Sequence, residues 1–312
     1  MIKYIAQRII DFIYRYPKNR LKSIKRFGGL LNIRKIENSR QTMELSAREI
    51  SCPKYRLSLP KEEIWFLTGK KFWYQTLFCI KSLIESSAQD FMVHICDDGS
   101  LDDGLIANMQ AQVPFIKIHR LTEIEVRLEE AIPRAQFPYL WRKRAVYPHI
   151  KKLIDVHAGT KGWKLVLDSD MLFFQRPDLL IQWLKKPDRP FHIFDTMNSY
   201  GYSFALMEKL VGAPIPEKLN VGIIGLQSES INWQELEHWA QTLEAQEGTS
   251  YYLEQALSAM LVARQPAALT GPAFEYIVMP SKEQVLGKQG TLHHYVDLSK
   301  EWYFKTAWRD WV

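Results

Sequence analysis

The chain has 312 residues, 46% hydrophobic and 24% charged, with a formal net charge of +6. This is ordinary globular composition, which excludes a disordered chain, and no apolar run is long enough to span a bilayer. Three cysteines, Cys52, Cys79 and Cys96, contain no Cys-x-x-Cys pair. They are too few for a disulfide framework, which points to a reducing, cytoplasmic compartment.

The positive charge is concentrated at the amino end. Residues 1–40 hold eleven Lys and Arg against Asp11 and Glu37, a surplus of nine, and the remainder of the chain totals three negative charges. A nucleic-acid fold carries its basic patch on its own body, so nucleic acid is not expected as the partner. Ile2, Ile5, Ile9, Ile10, Phe12, Ile13 and Tyr16 recur at roughly helical spacing. Arg8, Asp11 and Arg15 interrupt the apolar stretch, so it lacks the core of a signal peptide. Residues 1–60 thus read as a basic, partly helical arm. Its first 26 residues are either an interfacial helix at the anionic inner membrane face or a helix packed on the domain.

The body spans 61–312. Ile64–Thr68 reads as a buried strand ended by Gly69. Phe72–Ser86 reads as a helix with Trp73, Leu77, Ile80 and Ile84 on one face. A second strand, Phe91–Cys96, ends in Asp97-Asp98-Gly99-Ser100. Next come a helix over 102–112, a strand over 115–118 and a helix over 142–157. The fourth strand, Trp163–Leu167, ends in Asp168-Ser169-Asp170, followed by the apolar Met171–Phe174. Nearly all-apolar strands alternating with helices predict an α/β fold, a mixed, mainly parallel sheet with helices on both faces. Residues 176–218, with Pro177, Pro187, Pro190, Pro214, Pro216 and Asp195, read as loop-rich.

Both acidic clusters fall at carboxyl ends of strands, where ligands of such sheets bind. Two carboxylates one residue apart at a strand exit can turn toward a single cation, and oxygen ligands suit Mn2+ or Mg2+ shared with substrate phosphates. Between two apolar runs, bare carboxylates are costly unless paired or metal-bound.

At this point the sequence resembles nucleotide-sugar glycosyltransferases of the GT-A (Rossmann-like) fold. It is most similar to the retaining branch related to glycogenin and the bacterial lipooligosaccharide galactosyltransferases. The resemblance covers residues 61–304 as an order of motifs. "LVLDSDMLFF" (165–174) resembles the family's strand and Asp-x-Asp motif, and "LNVGIIGL" (219–226) its Asn-x-Gly strand. "YYLEQALSAML" (251–261) resembles the Asp-Gln helix start, with Glu254 in place of Asp, and "HYVDLSKEW" (294–302) the carboxyl-terminal His…Lys-x-Trp motif. Asp97-Asp98-Gly99-Ser100 resembles an element of the inverting branch.

The resemblance implies a metal-dependent transfer of a sugar from a nucleotide diphosphate donor, with UDP favoured, to a hydroxyl of a glycan or lipid-linked glycan. It implies Asp168, Asp170 and His294 as ligands of Mn2+ or Mg2+, with His293 as the alternative imidazole. It implies Thr68, Gly69, Asp97, Asp98, Arg142, Ser169 and Lys300 around the donor, and Asn220, Glu254 and Gln255 at the transferred sugar or attacking hydroxyl. Two readings compete: a nucleotidyltransferase, which Thr68-Gly69-Lys70-Lys71 matches poorly as a Gly-rich loop, and a non-catalytic nucleotide-sugar or glycan-binding protein. Asp297 and Glu301 depart from the family pattern, which has Gly and Pro there. Two acids beside a diphosphate are unfavourable unless they turn away.

Overall fold

The computed structural model describes residues 24–312, so the helical reading of residues 2–16 lies outside the described residues. In chain order the regular elements begin with α1 (Leu30–Ser46), β1 (Glu63–Thr68), α2 (Trp73–Ser87), β2 (Met92–Asp97), α3 (Asp103–Gln112) and β3 (Ile116–His119). Then follow α4 (Leu121–Ala131), α5 (Pro138–Val146), α6 (Lys151–His157), β4 (Trp163–Leu167), β5 (Met171–Phe173) and α7 (Asp178–Lys185). The chain continues through β6 (Phe191–Phe194), α8 (Phe204–Val211), β7 (Leu219–Gln227), α9 (Trp233–Glu247) and α10 (Leu253–Ala263). It closes with β8 (Leu269–Gly271), β9 (Tyr276–Val278), α11 (Lys282–Leu286), β10 (Leu292–His294) and α12 (Lys300–Lys305).

Seven strands form one sheet in the order β3-β2-β1-β4-β7-β6-β8. Only β7 runs against its neighbours, so the sheet is mixed and mainly parallel, the α/β class its apolar strands predict. Successive side chains of a strand face opposite sides. In β1, Ile64 and Phe66 join the core packed beneath α2, α3 and α7, and Trp65 joins the core on the other face with Ile124, Leu153 and Met260. Met43 and Ala47, in and just after α1, belong to the first of these cores, so the later part of the basic arm packs as part of the body.

Two local expectations need correction. The helix expected over 142–157 is broken at Tyr147, which is extended (φ −133°, ψ 86°), and restarts through a short turn at Pro148. Proline disfavours the helical conformation at the residue before it. The stretch 176–218 is also more regular than its prolines suggest, since it holds α7, β6, α8 and the start of β7. Pro177 caps α7, Pro187 and Pro190 precede β6, and Pro214 and Pro216 follow α8. The prolines mark ends of elements, where a missing N–H costs nothing.

Several buried histidines give a pH expectation. Burial pushes His94 and His157 down to about 3 and His119 to about 4. The unfolded chain takes up these protons near pH 6.5, and the folded protein does not. Stability is therefore intact above pH 6.5 and is lost as pH falls below it. His157, fully buried against Ser228 Oγ at 3.0 Å, alone accounts for ~1.4 kcal/mol per pH unit in that window. Urea unfolding between pH 7 and 5 checks this. His157→Gln flattens the fall, and an unchanged slope refutes the assignment.

Candidate functional site

The Asp168-Ser169-Asp170 turn links β4 of the large sheet to β5 of a second, three-stranded sheet ordered β5-β10-β9. In that sheet Met171 lies opposite His294, and Asp170 O accepts from Tyr295 N at 2.9 Å. This pairing unites two motifs far apart in the chain. Alternation along β10 then separates the adjacent imidazoles. His293 is fully buried, bonded to Tyr295 Oη at 3.1 Å and Gln289 O at 2.6 Å, with Phe174 against its ring. His294 faces the acids, with Nε2 at 3.3 Å from Asp170 Oδ1 and 3.7 Å from Asp168 Oδ2.

The other carboxylate oxygens are held from outside. Lys152 Nζ donates to Asp168 Oδ1 at 2.9 Å, and Lys300 Nζ to Asp170 Oδ2 at 2.8 Å. One oxygen of each acid is thus fixed by an ammonium, and the other two oxygens converge with the imidazole nitrogen. Ligand atoms of Asp168, Asp170 and His294 all lie within 4.8 Å of one another. Two hard oxygens and one imidazole nitrogen fit Mn2+ or Mg2+. Burial pushes the Asp170 carboxyl up, but Lys300 and His294 outweigh it and hold the group well below the usual carboxylate range. Asp170 is therefore an anion, the state a cation requires.

An irregularity in β7 supports this cluster. Opposite β6, the partner jumps from Ile224 to Asn220, so Val221, Gly222 and Ile223 leave that ladder. A bulge frees backbone groups and bends the strand. The Val221 carbonyl accepts from Lys152 Nζ at 2.8 Å, while on the other edge the Gly222 carbonyl accepts from Asp168 N at 2.8 Å and continues the β4–β7 ladder. The Asn220 side chain braces the bulge by accepting from Gly222 N at 2.8 Å. The His294 ring lies where a side chain of residue 222 would sit, 2.3 Å from the place of its Cβ.

Lys152 is the residue that sequence reasoning missed. It is buried, and its ammonium also lies 3.8 Å from Glu254 Oε1 at the start of α10. Burial lowers its proton affinity, but Asp168 and Glu254 outweigh this and raise it, so Lys152 stays charged. Burial and the Asp168 charge push Glu254 up to about 7 against the opposing pull of Lys152. Gln255 donates through Nε2 to Asp195 Oδ2 at 3.1 Å and Leu219 O at 2.8 Å. Both partners accept, so the amide orientation is determined and Oε1 is left without a donor among the described residues. Asp195 is a second residue absent from the sequence-based set. Its only signal was its place in the 176–218 stretch.

Other expected residues lie around this centre or apart from it. Thr68 and Ser169 are linked by Thr76 Oγ1, at 2.9 and 2.7 Å. Gly69 leaves room for the Asp98 carboxylate, 2.0 Å from where its Cβ would be. Asp97 and Asp98 each spend one oxygen on their own turn. Gly99 N and Leu101 N donate to Asp97 Oδ1, and Ser100 donates through N and Oγ to Asp98 Oδ1. Arg142 is not brought to the acids: it is exposed on α5, stacked on Tyr139 at 4.5 Å, in a surface cleft with Glu125, Arg134 and Trp141.

No protein-family model matches this sequence. No curated protein matches it either. Among solved structures, the galactosyltransferase LgtC in complex with donor and acceptor sugar analogs aligns with 75% of this chain and 87% of its own, at 15% identity and a TM-score of 0.47. Mouse xyloside xylosyltransferase 1 aligns with 74% of this chain and 97% of its own, at 12% identity and a TM-score of 0.49. The mannosyltransferase Ktr4p from S. cerevisiae aligns with 74% and 76%, at 11% identity and a TM-score of 0.44.

Proposed function

We propose that this protein is a metal-dependent glycosyltransferase. It moves a sugar from a nucleotide diphosphate donor, a UDP-sugar first among them, to a hydroxyl of a glycan or lipid-linked glycan. The observation that carries this is the convergence of Asp168 Oδ2, Asp170 Oδ1 and His294 Nε2, with Lys152 and Lys300 holding the outer oxygens. Asp168, Asp170 and His294 would hold Mn2+ or Mg2+, which would supply charge neutralisation for a departing diphosphate. Lys300, charged and next to Asp170, adds a point charge for the same phosphates. Gln255, fixed through its amide nitrogen, offers a carbonyl oxygen to positive charge growing at the sugar. Glu254, poised near neutral pH beside Lys152, is the group for a sugar hydroxyl.

Three buried free cysteines support a reducing, cytoplasmic location. No helix among the described residues is long and apolar enough to cross a membrane. The nucleotidyltransferase reading is disfavoured because Thr68-Gly69-Lys70-Lys71, which follows β1, is a poor match for the Gly-rich loop of that class.

Thermal unfolding with UDP, GDP and Mn2+ tests the assignment. UDP at a hundredfold excess over its dissociation constant stabilises by ~2.7 kcal/mol, and only when Mn2+ is present. No stabilisation by any nucleoside diphosphate with Mn2+ or Mg2+ refutes the proposal. Stabilisation without turnover of any donor favours the non-catalytic binding protein.

A further inference from the structure

The loop after His294 and the first turn of α12 carry two acids that a diphosphate site disfavours, Asp297 before Lys300 and Glu301 just after it. Asp297 also adopts a positive φ of 47°, a left-handed conformation that Asp tolerates better than most residues. Both acids are engaged by the end of the basic arm. Asp297 is ion-paired with Arg26. Glu301 accepts from Asn32 Nδ2 at 2.9 Å and from Lys305 Nζ at 2.7 Å, and Lys305 in turn donates to Asn32 Oδ1. Asn32 also donates to Phe27 O at 2.8 Å, which ties this contact to the turn at Gly28 and Gly29. Helix α1 packs along α12, the helix that opens with Lys300.

We propose that segment 24–46 is a strap that positions the loop from His294 to Lys300, with Arg26 and Asn32 as positioning residues. Arg26 neutralises Asp297, Lys305 neutralises Glu301, and the Asn32 amide ties Glu301 and Lys305 to the arm, which leaves the Lys300 ammonium facing Asp170. The arm therefore completes the anion-binding side of the site through Arg26 and Asn32. The half-exposed Arg26–Asp297 pair is weak alone. The strap draws its strength from the Asn32, Glu301 and Lys305 network, whose Glu301 and Lys305 side chains are only 18% and 21% exposed. What Lys300 grips rests on the glycosyltransferase reading, but the placement of the loop does not.

The test uses the full chain and the R26A/N32A double variant. Hydrogen exchange of backbone amides in 295–302, without ligands, is expected to accelerate about tenfold while β1 and α2 keep their protection. UDP with Mn2+ is expected to bind about tenfold more weakly, equivalent to ~1.4 kcal/mol, at a retained melting temperature. R26K with Asn32 intact is expected to bind UDP as the wild type does, and R26A alone is expected to weaken binding less than R26A/N32A. Unchanged exchange in 295–302 overturns the strap whatever the binding result. Faster exchange with unchanged UDP affinity overturns its role in anion binding. If the wild-type chain binds no nucleoside diphosphate, the glycosyltransferase reading fails, and the exchange measurement still decides the strap.

Discussion

Asp170→Asn is expected to lower the rate of sugar transfer at least ~10³-fold, about 4 kcal/mol in the barrier. The substitution keeps the side chain's volume and removes its charge. His294 Nε2 at 3.3 Å and Lys300 Nζ at 2.8 Å then lose the anion that draws them together. Mn2+ affinity should fall with activity, because an amide oxygen is a poorer ligand for a divalent ion than a carboxylate. Donor turnover and the electron paramagnetic resonance signal of free Mn2+ read the two effects separately. A folded variant that retains activity within ~3-fold removes Asp170 from the mechanism and leaves the metal without its best-placed ligand.

Gly222→Ala is expected to damage the same centre by a purely steric route. The added Cβ would lie 2.3 Å from His294 Cε1, 2.5 Å from His294 Nδ1 and 2.6 Å from Met171 Cε. The imidazole is buried and cannot move aside freely. Overpacking of this kind costs about 1–3 kcal/mol of stability, and the displaced ring withdraws Nε2 from the two acids. We expect Mn2+ affinity to fall about 10²-fold, the larger end of what loss of a ligand's support produces. Gly225→Ala is the control. Its Cβ would meet Trp183 at 2.6 Å in the core, so it lowers the melting temperature and leaves Mn2+ affinity intact. Equal metal affinity in Gly222→Ala and wild type would show that the imidazole is no ligand.

Much of the frame was legible because strand and helix periodicity is a local property. The apolar run from Ile64 and the amphipathic stretch from Phe72 became β1 and α2 within a residue or two. The acids were also legible, since a carboxylate pair between two apolar runs is chemically anomalous wherever it occurs. Lys152 was not. In sequence it is one of two lysines opening a short helix, and such residues are usually solvated. It becomes part of the site because β7 bulges there and leaves the Val221 carbonyl free to accept from its ammonium. Arg142 shows the converse. A cation on the helix before the metal strand looks suited to a donor phosphate, but the break at Pro148 ends its helix early, and the side chain lies exposed against Tyr139.

The two acids at 297 and 301 show where local reading stops. By composition they were a departure from the family pattern that called the loop into question. Their partners, Arg26, Asn32 and Lys305, come from both ends of the chain. Charge at one position can be recognised from sequence, but its compensation depends on what folding brings within a few ångströms.

By itself, the sequence determined the α/β class and the position of the acidic turn at a strand end, because backbone periodicity resides in single residues and their near neighbours. The tertiary structure alone decided which imidazole meets the acids, which lysines hold them and how the basic arm is engaged. Those choices follow from the β5–β10 register, the β7 bulge and the packing of α1 on α12, and each joins segments that no local pattern connects.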